Sequence, residues 1–454
     1  MFHKPHHSVK RREIDMLHGS LVDKLLLFSL PLALTGILQQ LFNAADVAVV
    51  GRFSSSEAMA AVGSNAPVIG LLVNLFIGVS LGANVVISRC TGQRDAKAVS
   101  RAVHTSILVA LFSGLLVALL GELIARPLLT AMSVPDSVFP MALAYLRIYL
   151  AGMPVILLYN YESAIFRSQG DTRTPLLCLI IAGITNVGLN LFFVRQLGMA
   201  ADGVALATVI SNAVSSLLLF IFLLRSDGLI RVRFRDFRID RQLLLQMLQI
   251  GIPAGLQGMV FSLSNITIQS SINSLGAAVM AGSSASFNVE ILPYYVMNAF
   301  GQACTTFTGQ NVGAGQRDRC RRILRQSLLL AIVFSSAICA LIILARYPIL
   351  RLFNTEEAVL AYGSTRLLFI LVAYPVYVVL EVFSGCLRGF ARSLAPALIT
   401  VFGICGTRIF WVLHVFPKNP TFPMLLAVYP ISWVISAVII LLYYALVRKK
   451  LYTV

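Results

Sequence analysis

Residues 59–95 read MAAVGSNAPVIGLLVNLFIGVSLGANVVISRCTGQRD, and two features of that stretch decide the fold. From Met59 to Ser88 there is no charged side chain, which is more than the ~20 residues a helix needs to cross a hydrocarbon core of about 30 Å. Immediately after it comes Gly92-Gln93-Arg94-Asp95, a tetrapeptide that returns unchanged as Gly315-Gln316-Arg317-Asp318. A membrane-length apolar run followed by a repeated polar turn describes a duplicated membrane protein.

The rest of the chain agrees. Of its 454 residues 58% are hydrophobic and 12% charged, too apolar a composition to cover a soluble core of this size. Lipid offers no partners to backbone groups, so helices are the expected spanning elements. Apolar runs predict twelve spans, at 25–50, 59–89, 102–122, 140–166, 175–194, 202–224, 246–272, 278–308, 323–345, 361–387, 395–416 and 424–447. Spans two and eight exceed bilayer thickness, which implies tilt or extension beyond it.

Two further repeats accompany the first. Pro31 in span one pairs with Pro253 in span seven at an offset of 222, and Phe166–Pro175 pairs with Leu387–Pro396 at 221; the tetrapeptides are offset by 223. A near-constant offset argues for duplication. Six spans per copy is even, so both copies enter from one side and are related by an axis along the membrane normal, with a cleft between them. The expected organisation is an N-terminal tail (1–24), a first lobe (25–224), a basic connection (225–245), a second lobe (246–447) and a C-terminal tail (448–454).

The formal charge of +17 does not mark a nucleic-acid binder. With both tails cytoplasmic, most Lys and Arg fall on that side: Lys10 to Arg12, Arg225 to Arg241, Arg317 to Arg325 and Arg448 to Lys450. That is the positive-inside asymmetry of a plasma-membrane protein. The seven cysteines have no metal-ligand spacing and read as small buried residues. No short apolar region with a small-residue cleavage site stands ahead of Leu25, so no removable leader is expected. The tail histidines His3, His6, His7 and His18 read as part of a solvated segment.

Acidic residues at membrane depth cost about 3 kcal/mol on insertion scales and call for an account. Four qualify: Asp46, Glu162, Glu290 and Glu381. Asp46 lies ~32 Å along span one, which allows either an outer-interface residue near Arg52 or a carboxyl inside the first lobe. Asn186 and Asn190, four apart, share one face of span five, and Thr208 begins span six; their neutral oxygens suit a proton or small hard cation. Helix-to-helix hydrogen bonding is the plainer reading of the same residues. Glu290, deep in span eight, reads as a second protonation site or a structural glutamate. Glu162 and Glu381 are expected to pair with Arg167 and Arg388 as a cytoplasmic gate. Pro31 removes a helix hydrogen bond and permits a bend beside Asp46. Tyr159, Tyr161, Phe192, Phe193, Tyr294 and Tyr295 are candidates for a cavity wall. The interior is otherwise expected to be poor in cations, with Arg147, Arg366 and Arg408 toward outer ends. No nucleotide-binding loop of the GxxxxGK type is present, so ATP is not expected to drive the chain. It reads as a transporter rather than an enzyme, with no cofactor beyond a coupling ion.

Together these segments resemble the MATE (multidrug and toxin extrusion) family. The resemblance runs through Asn43–Arg52, the Arg167-x-x-Gly170-Asp171-x-x-x-Pro175 core, Gly203–Thr208, Glu290–Ala303 and Leu387-Arg388-Gly389. It implies an all-α, V-shaped pair of lobes that exchanges H+ or Na+ for small cationic or aromatic compounds; the chain is expected to work as a monomer. It also implies that Asp46, Asn186, Asn190 and Thr208 form the coupling site and that Pro31 bends span one. Asn190 departs from the pattern, since members often carry a second Asp there; the missing charge leans the reading toward protons. A lipid-linked precursor or polysaccharide flippase of the same two-lobe fold is the alternative, and its cavity is expected to carry cations for phosphate groups.

Overall fold

The computed structural model describes residues 13–132 and 134–453. His3, His6, His7 and the Lys10–Arg12 cluster lie outside the described residues. Among those described there is no strand, and the chain makes twelve helical passes in two lobes of six.

The first lobe holds α1 (Val22–Phe53), α2 (Ser56–Gly92), α3 (Ala96–Ala131), a fourth pass made of α4 (Phe139–Ala151) and α5 (Met153–Ser168), α6 (Arg173–Leu191) and α7 (Ala201–Arg225). The second holds α8 (Arg241–Asn273), α9 (Ala277–Gly313), α10 (Arg317–Leu344), the short α11 (Arg346–Arg351), α12 (Glu357–Gly389), an eleventh pass containing α13 (Leu394–Thr400) and α14 (Thr407–Phe410), then α15 (Phe422–Leu426) and α16 (Val428–Tyr452). Apolar side chains such as Leu123, Leu344, Phe402 and Leu446 stand at 71–81% exposure around the outside, tolerable only against lipid.

Ten of the passes are long and apolar enough to cross a membrane by composition, and the α4–α5 pair makes an eleventh. The twelfth is α9, whose interior serines, Asn288 and Glu290 dilute its apolarity. Its polar side is satisfied by protein: Ser286 Oγ, for example, donates to the Gly363 carbonyl of α12 at 2.8 Å. The expected fourth span (140–166) is bent by 47° at Gly152. Pro154 lacks the N–H that would continue the ladder and crowds the carbonyl four residues earlier. The eleventh pass is likewise irregular, with π-helical turns at Val401–Gly406 and Trp411–Val415.

The repeat is visible in the helix ends. Both bounds of α9 follow those of α2 at an offset of 221, and the starts of α6 and α13 keep the same offset. The backbone residues with positive φ obey the same rule: Arg94 with Gly315, and Gly170 with Ala391. The tetrapeptide match at 223 is therefore two positions away from the structural equivalence. Asp95 caps α3, accepting from the Ala98 amide at 2.9 Å, whereas Asp318 lies inside the first turn of α10.

The lobes meet along α2 against α8 and α9, from mid-membrane to the face that bears both termini. This seam is backbone on backbone. A Cβ added to Gly78 would lie 2.2 Å from the Gly255 nitrogen, and one on Gly82 would lie 2.1 Å from the Met247 carbonyl oxygen. Beyond it Gln310 Nε2 donates to the Ser168 carbonyl at 2.7 Å, and Thr306 Oγ1 to Asn84 Oδ1 at 3.0 Å. A cavity of about 760 Å³ remains between the lobes.

Ahead of α1, the segment Glu13–Ser20 lies across the seam. Met16 is buried, and its carbonyl accepts from Asn311 Nδ2 of α9 (3.1 Å) and Arg319 Nε of α10 (3.2 Å). The first turns of α1 continue this association, with Phe28 edge-on to Phe307 at 5.6 Å. Farther along, Phe42 packs against α6 of its own lobe. The connection between lobes is shorter than expected, since α8 already begins at Arg241. It is docked on α3 through Arg101–Asp240 (2.8 Å) and the Arg233 amide on His104 (3.0 Å).

Candidate functional site

Three helices of the first lobe converge on Asp46. Asn190 Nδ2 of α6 donates to Asp46 Oδ1 at 2.5 Å and to Asn186 Oδ1 at 3.2 Å, and Thr208 Oγ1 of α7 donates to Asp46 Oδ2 at 3.2 Å. The four residues expected from the sequence are thus one cluster. Asp46 is 7% exposed and its partner is not Arg52, which lies beside Phe53 at the helix end. Among the described residues no cation pairs with it, so its charge is met only by neutral donors. A carboxylate out of water is stable when a proton or a bound cation neutralises it, and the amide and hydroxyl oxygens around it are hard ligands of the type Na+ takes. Asp46, Asn186 and Thr208 line the cavity wall; Asn190 lies behind them, fully buried. Helix α1 runs unbroken through Pro31, which sits about two turns before Gln39 on the same wall.

The second-lobe carboxylates are committed differently. Glu290 forms a two-pronged ion pair with Arg366 of α12, from Nε to Oε2 at 3.0 Å and from Nη2 to Oε1 at 2.5 Å. Arg366 also donates to Ser283, and Tyr374 donates to the Glu290 carbonyl. This is the structural reading of Glu290, with hydrogen bonds satisfying both ions. Glu381 pairs with Arg388 at 3.5 Å as expected, and Arg388 reaches Gln257 of α8 at 3.2 Å.

Two expectations need correction. Glu162 does not pair with Arg167; it accepts from Ser216 Oγ at 2.9 Å, while Arg167 lines the cavity. The five-residue spacing places the two on different sides of α5. Nor is the interior poor in cations. Arg147 is an outer-surface residue paired with Glu122, but Arg167, Arg366, Arg388 and Arg408 all line the cavity, against Asp46, Glu290 and Glu381.

Among the aromatic candidates, Tyr159, Tyr294 and Tyr295 line the cavity; Tyr161 is buried elsewhere, and Phe192 and Phe193 lie outside it. The larger aromatic surface was not singled out in the sequence. Tyr374, Tyr377, Tyr429 and Trp433 cluster on the second-lobe wall, with Trp433 within 5.4–5.9 Å of the other three rings and Tyr294 stacked on Tyr377. Aromatic residues spaced i, i+3 and i, i+4 on spans ten and twelve were the available signal. Such a wall accepts flat organic molecules by stacking.

Comparison with known proteins places this geometry. The MatE family model matches residues 31–192 and again 253–412. The probable multidrug resistance protein YoeA of Bacillus subtilis is 28% identical over 442 residues, covering 93% of each chain. The probable multidrug resistance protein NorM of Thermotoga maritima is 28% identical over 397 residues, covering 85% of this chain and 84% of that one. A crystal structure of MATE in the straight conformation superposes with a TM-score of 0.90 at 22% identity, over 97% of this chain and 99% of that chain, which is agreement of fold.

Proposed function

This chain belongs to the MatE family of multi-pass membrane transporters, and from that premise we propose that it is a secondary antiporter rather than an enzyme. It exports small aromatic or cationic organic compounds in exchange for H+ or Na+. The observation that carries this reading is the Asp46 cluster, a buried carboxylate held by neutral donors at the wall of a cavity shared by two lobes. With both termini cytoplasmic in a bacterial-type inner membrane, as the basic tails and connection favour, the cavity faces outward.

In this cycle the cavity opens outward, a cation or proton from outside neutralises Asp46, and the change at the α1–α6–α7 junction loosens the adjoining substrate. Pro31 supplies the place where α1 bends in response, since no backbone donor there resists the opening. The loaded lobes then rock, the seam parts, and Asp46 discharges inward. Asn190 in place of a second carboxylate favours the proton as coupling ion.

The test is ethidium efflux from vesicles under separately imposed pH and Na+ gradients. A gradient should drive efflux, and Asp46→Asn, nearly isosteric, should abolish it while the protein keeps its unfolding temperature. Undiminished gradient-driven efflux by that variant would sink the reading. A flippase for phosphate-bearing lipid precursors is the second reading, favoured by the arginines on the cavity wall; it predicts transport that neither gradient affects.

A further inference from the structure

The duplication gives the Asp46 cluster a counterpart in the second lobe, and its polarity is inverted. Thr208 of α7 corresponds to Tyr429, because the starts of α7 and α15, Ala201 and Phe422, also stand at the offset of 221. Counted from the helix starts, Val22 and Arg241, Asp46 of α1 stands opposite Asn265 of α8 at an offset of 219, three residues less than the 222 between Pro31 and Pro253. Asn186 of α6 corresponds by the 221 offset to Thr407. The π-helical turn Val401–Gly406 inserts one extra residue, and with that residue counted Arg408 falls opposite Asn186.

These residues also come together, through a different set of contacts. Arg408 Nη1 donates to Asn265 Oδ1 at 2.8 Å, and the guanidinium lies over the ring of Tyr429 (4.5 Å) and over that of Phe261 (5.2 Å). All four line the cavity. Arg408 is 1% exposed, yet among the described residues its Nε and Nη2 meet no acceptor, and the two second-lobe carboxylates that line the cavity, Glu290 and Glu381, are already paired with Arg366 and Arg388. A buried cation with two unused donors is costly for a fold to keep unless something supplies acceptors. Two ring faces soften that cost without using the in-plane N–H groups.

We infer that Arg408, with Asn265 and Tyr429, forms a subsite for an anionic oxygen group, a carboxylate or phosphate, carried by an aromatic substrate. The planar fork offers two parallel donors to such a group, and the neighbouring aromatic wall takes the flat remainder. This deepens the exporter reading and rests on it for the direction of transport. The cation that neutralises Asp46 and the anion at Arg408 then occupy equivalent places in the two lobes.

The experiment measures binding of carboxyfluorescein, an anionic aromatic dye, and of ethidium, a cationic one, to the full-length protein in nanodiscs by fluorescence anisotropy. The wild type should bind carboxyfluorescein, and inorganic phosphate should displace it. Arg408→Gln should weaken that binding at least about tenfold, the worth of one charge-assisted hydrogen bond, and leave ethidium within about threefold. Arg408→Lys should recover part of the loss. Nanodiscs containing phosphatidylglycerol distinguish the source: displacement of the dye by that lipid assigns the subsite to a headgroup, and its absence assigns it to a soluble substrate. If Arg408→Gln fails to fold, the wild-type titration decides, since no carboxyfluorescein binding, or binding that phosphate does not displace, overturns the inference. Equal loss of both dyes in a folded Arg408→Gln protein overturns it as well. Asp46→Asn separates the two readings: it should lose gradient-driven efflux and keep carboxyfluorescein binding.

Discussion

The glycine seam makes the strongest demand on the rocking-lobe reading. Replacing Gly78 by Ala places a methyl carbon 2.2 Å from the Gly255 nitrogen, 2.3 Å from its Cα and 2.6 Å from the Ala254 carbonyl carbon. Ordinary contact needs about 3.5 Å, so α2 and α8 must part by ~1 Å. All three neighbours are backbone, so no side chain can swing aside. Overpacking of this kind costs about 1–3 kcal/mol, and here the cost falls only on the state in which the seam is closed. At about 2 kcal/mol the balance between closed and open seam shifts roughly thirtyfold. The assay is labelling by a membrane-impermeant maleimide of a single cysteine at Gln39, an exposed residue of the cavity wall, with the seven native cysteines replaced. Gly78→Ala should raise labelling from the termini-bearing side about tenfold or more and lower it from the other. Gly188→Ala, whose Cβ meets nothing within 4 Å, is the control and should change neither. A folded Gly78→Ala protein with wild-type labelling from both sides would refute the claim that this seam is the closed gate.

Two other outcomes are expected. Arg366→Met strands the Glu290 carboxylate among aromatic rings and should destabilise the protein by about 3–5 kcal/mol, whereas the double variant with Glu290→Met should regain most of that, both read by thermal unfolding in detergent. Asn190→Asp puts a second carboxylate beside Asp46 and should make efflux respond to a Na+ gradient, or respond more strongly; a response unchanged from the wild type would separate Asn190 from ion selection.

Much of the first-lobe site was legible. Asn186 and Asn190 declared a shared face by their spacing, and a lone acid in an apolar run announced Asp46. The second lobe was harder to read because its partners are distant in sequence: Glu290 and Arg366 are 76 residues apart, and no local pattern joins them. Arg408 was placed toward an outer end without a face, and the π-helical turn before it inserts a residue that rotates the faces that follow, so regular periodicity does not put it on the cavity wall. Glu162 misled for a similar reason, since five residues along α5 separate it from Arg167 in direction as well as distance. The repeated tetrapeptide correctly signalled duplication but set the offset two positions too high, because turn residues tolerate drift that the packed ends of α2 and α9 do not.

The lead-in to α1 has an architectural consequence. Residues 13–33 belong by connectivity to one half of the molecule but find their sockets in the other, at Asn311, Arg319 and Phe307. Cutting the chain in the exposed connection near Asp227 would therefore not yield two self-sufficient blocks. The first fragment would carry a loose plug and the second an unfilled receptacle, so the halves hold the means to recognise each other.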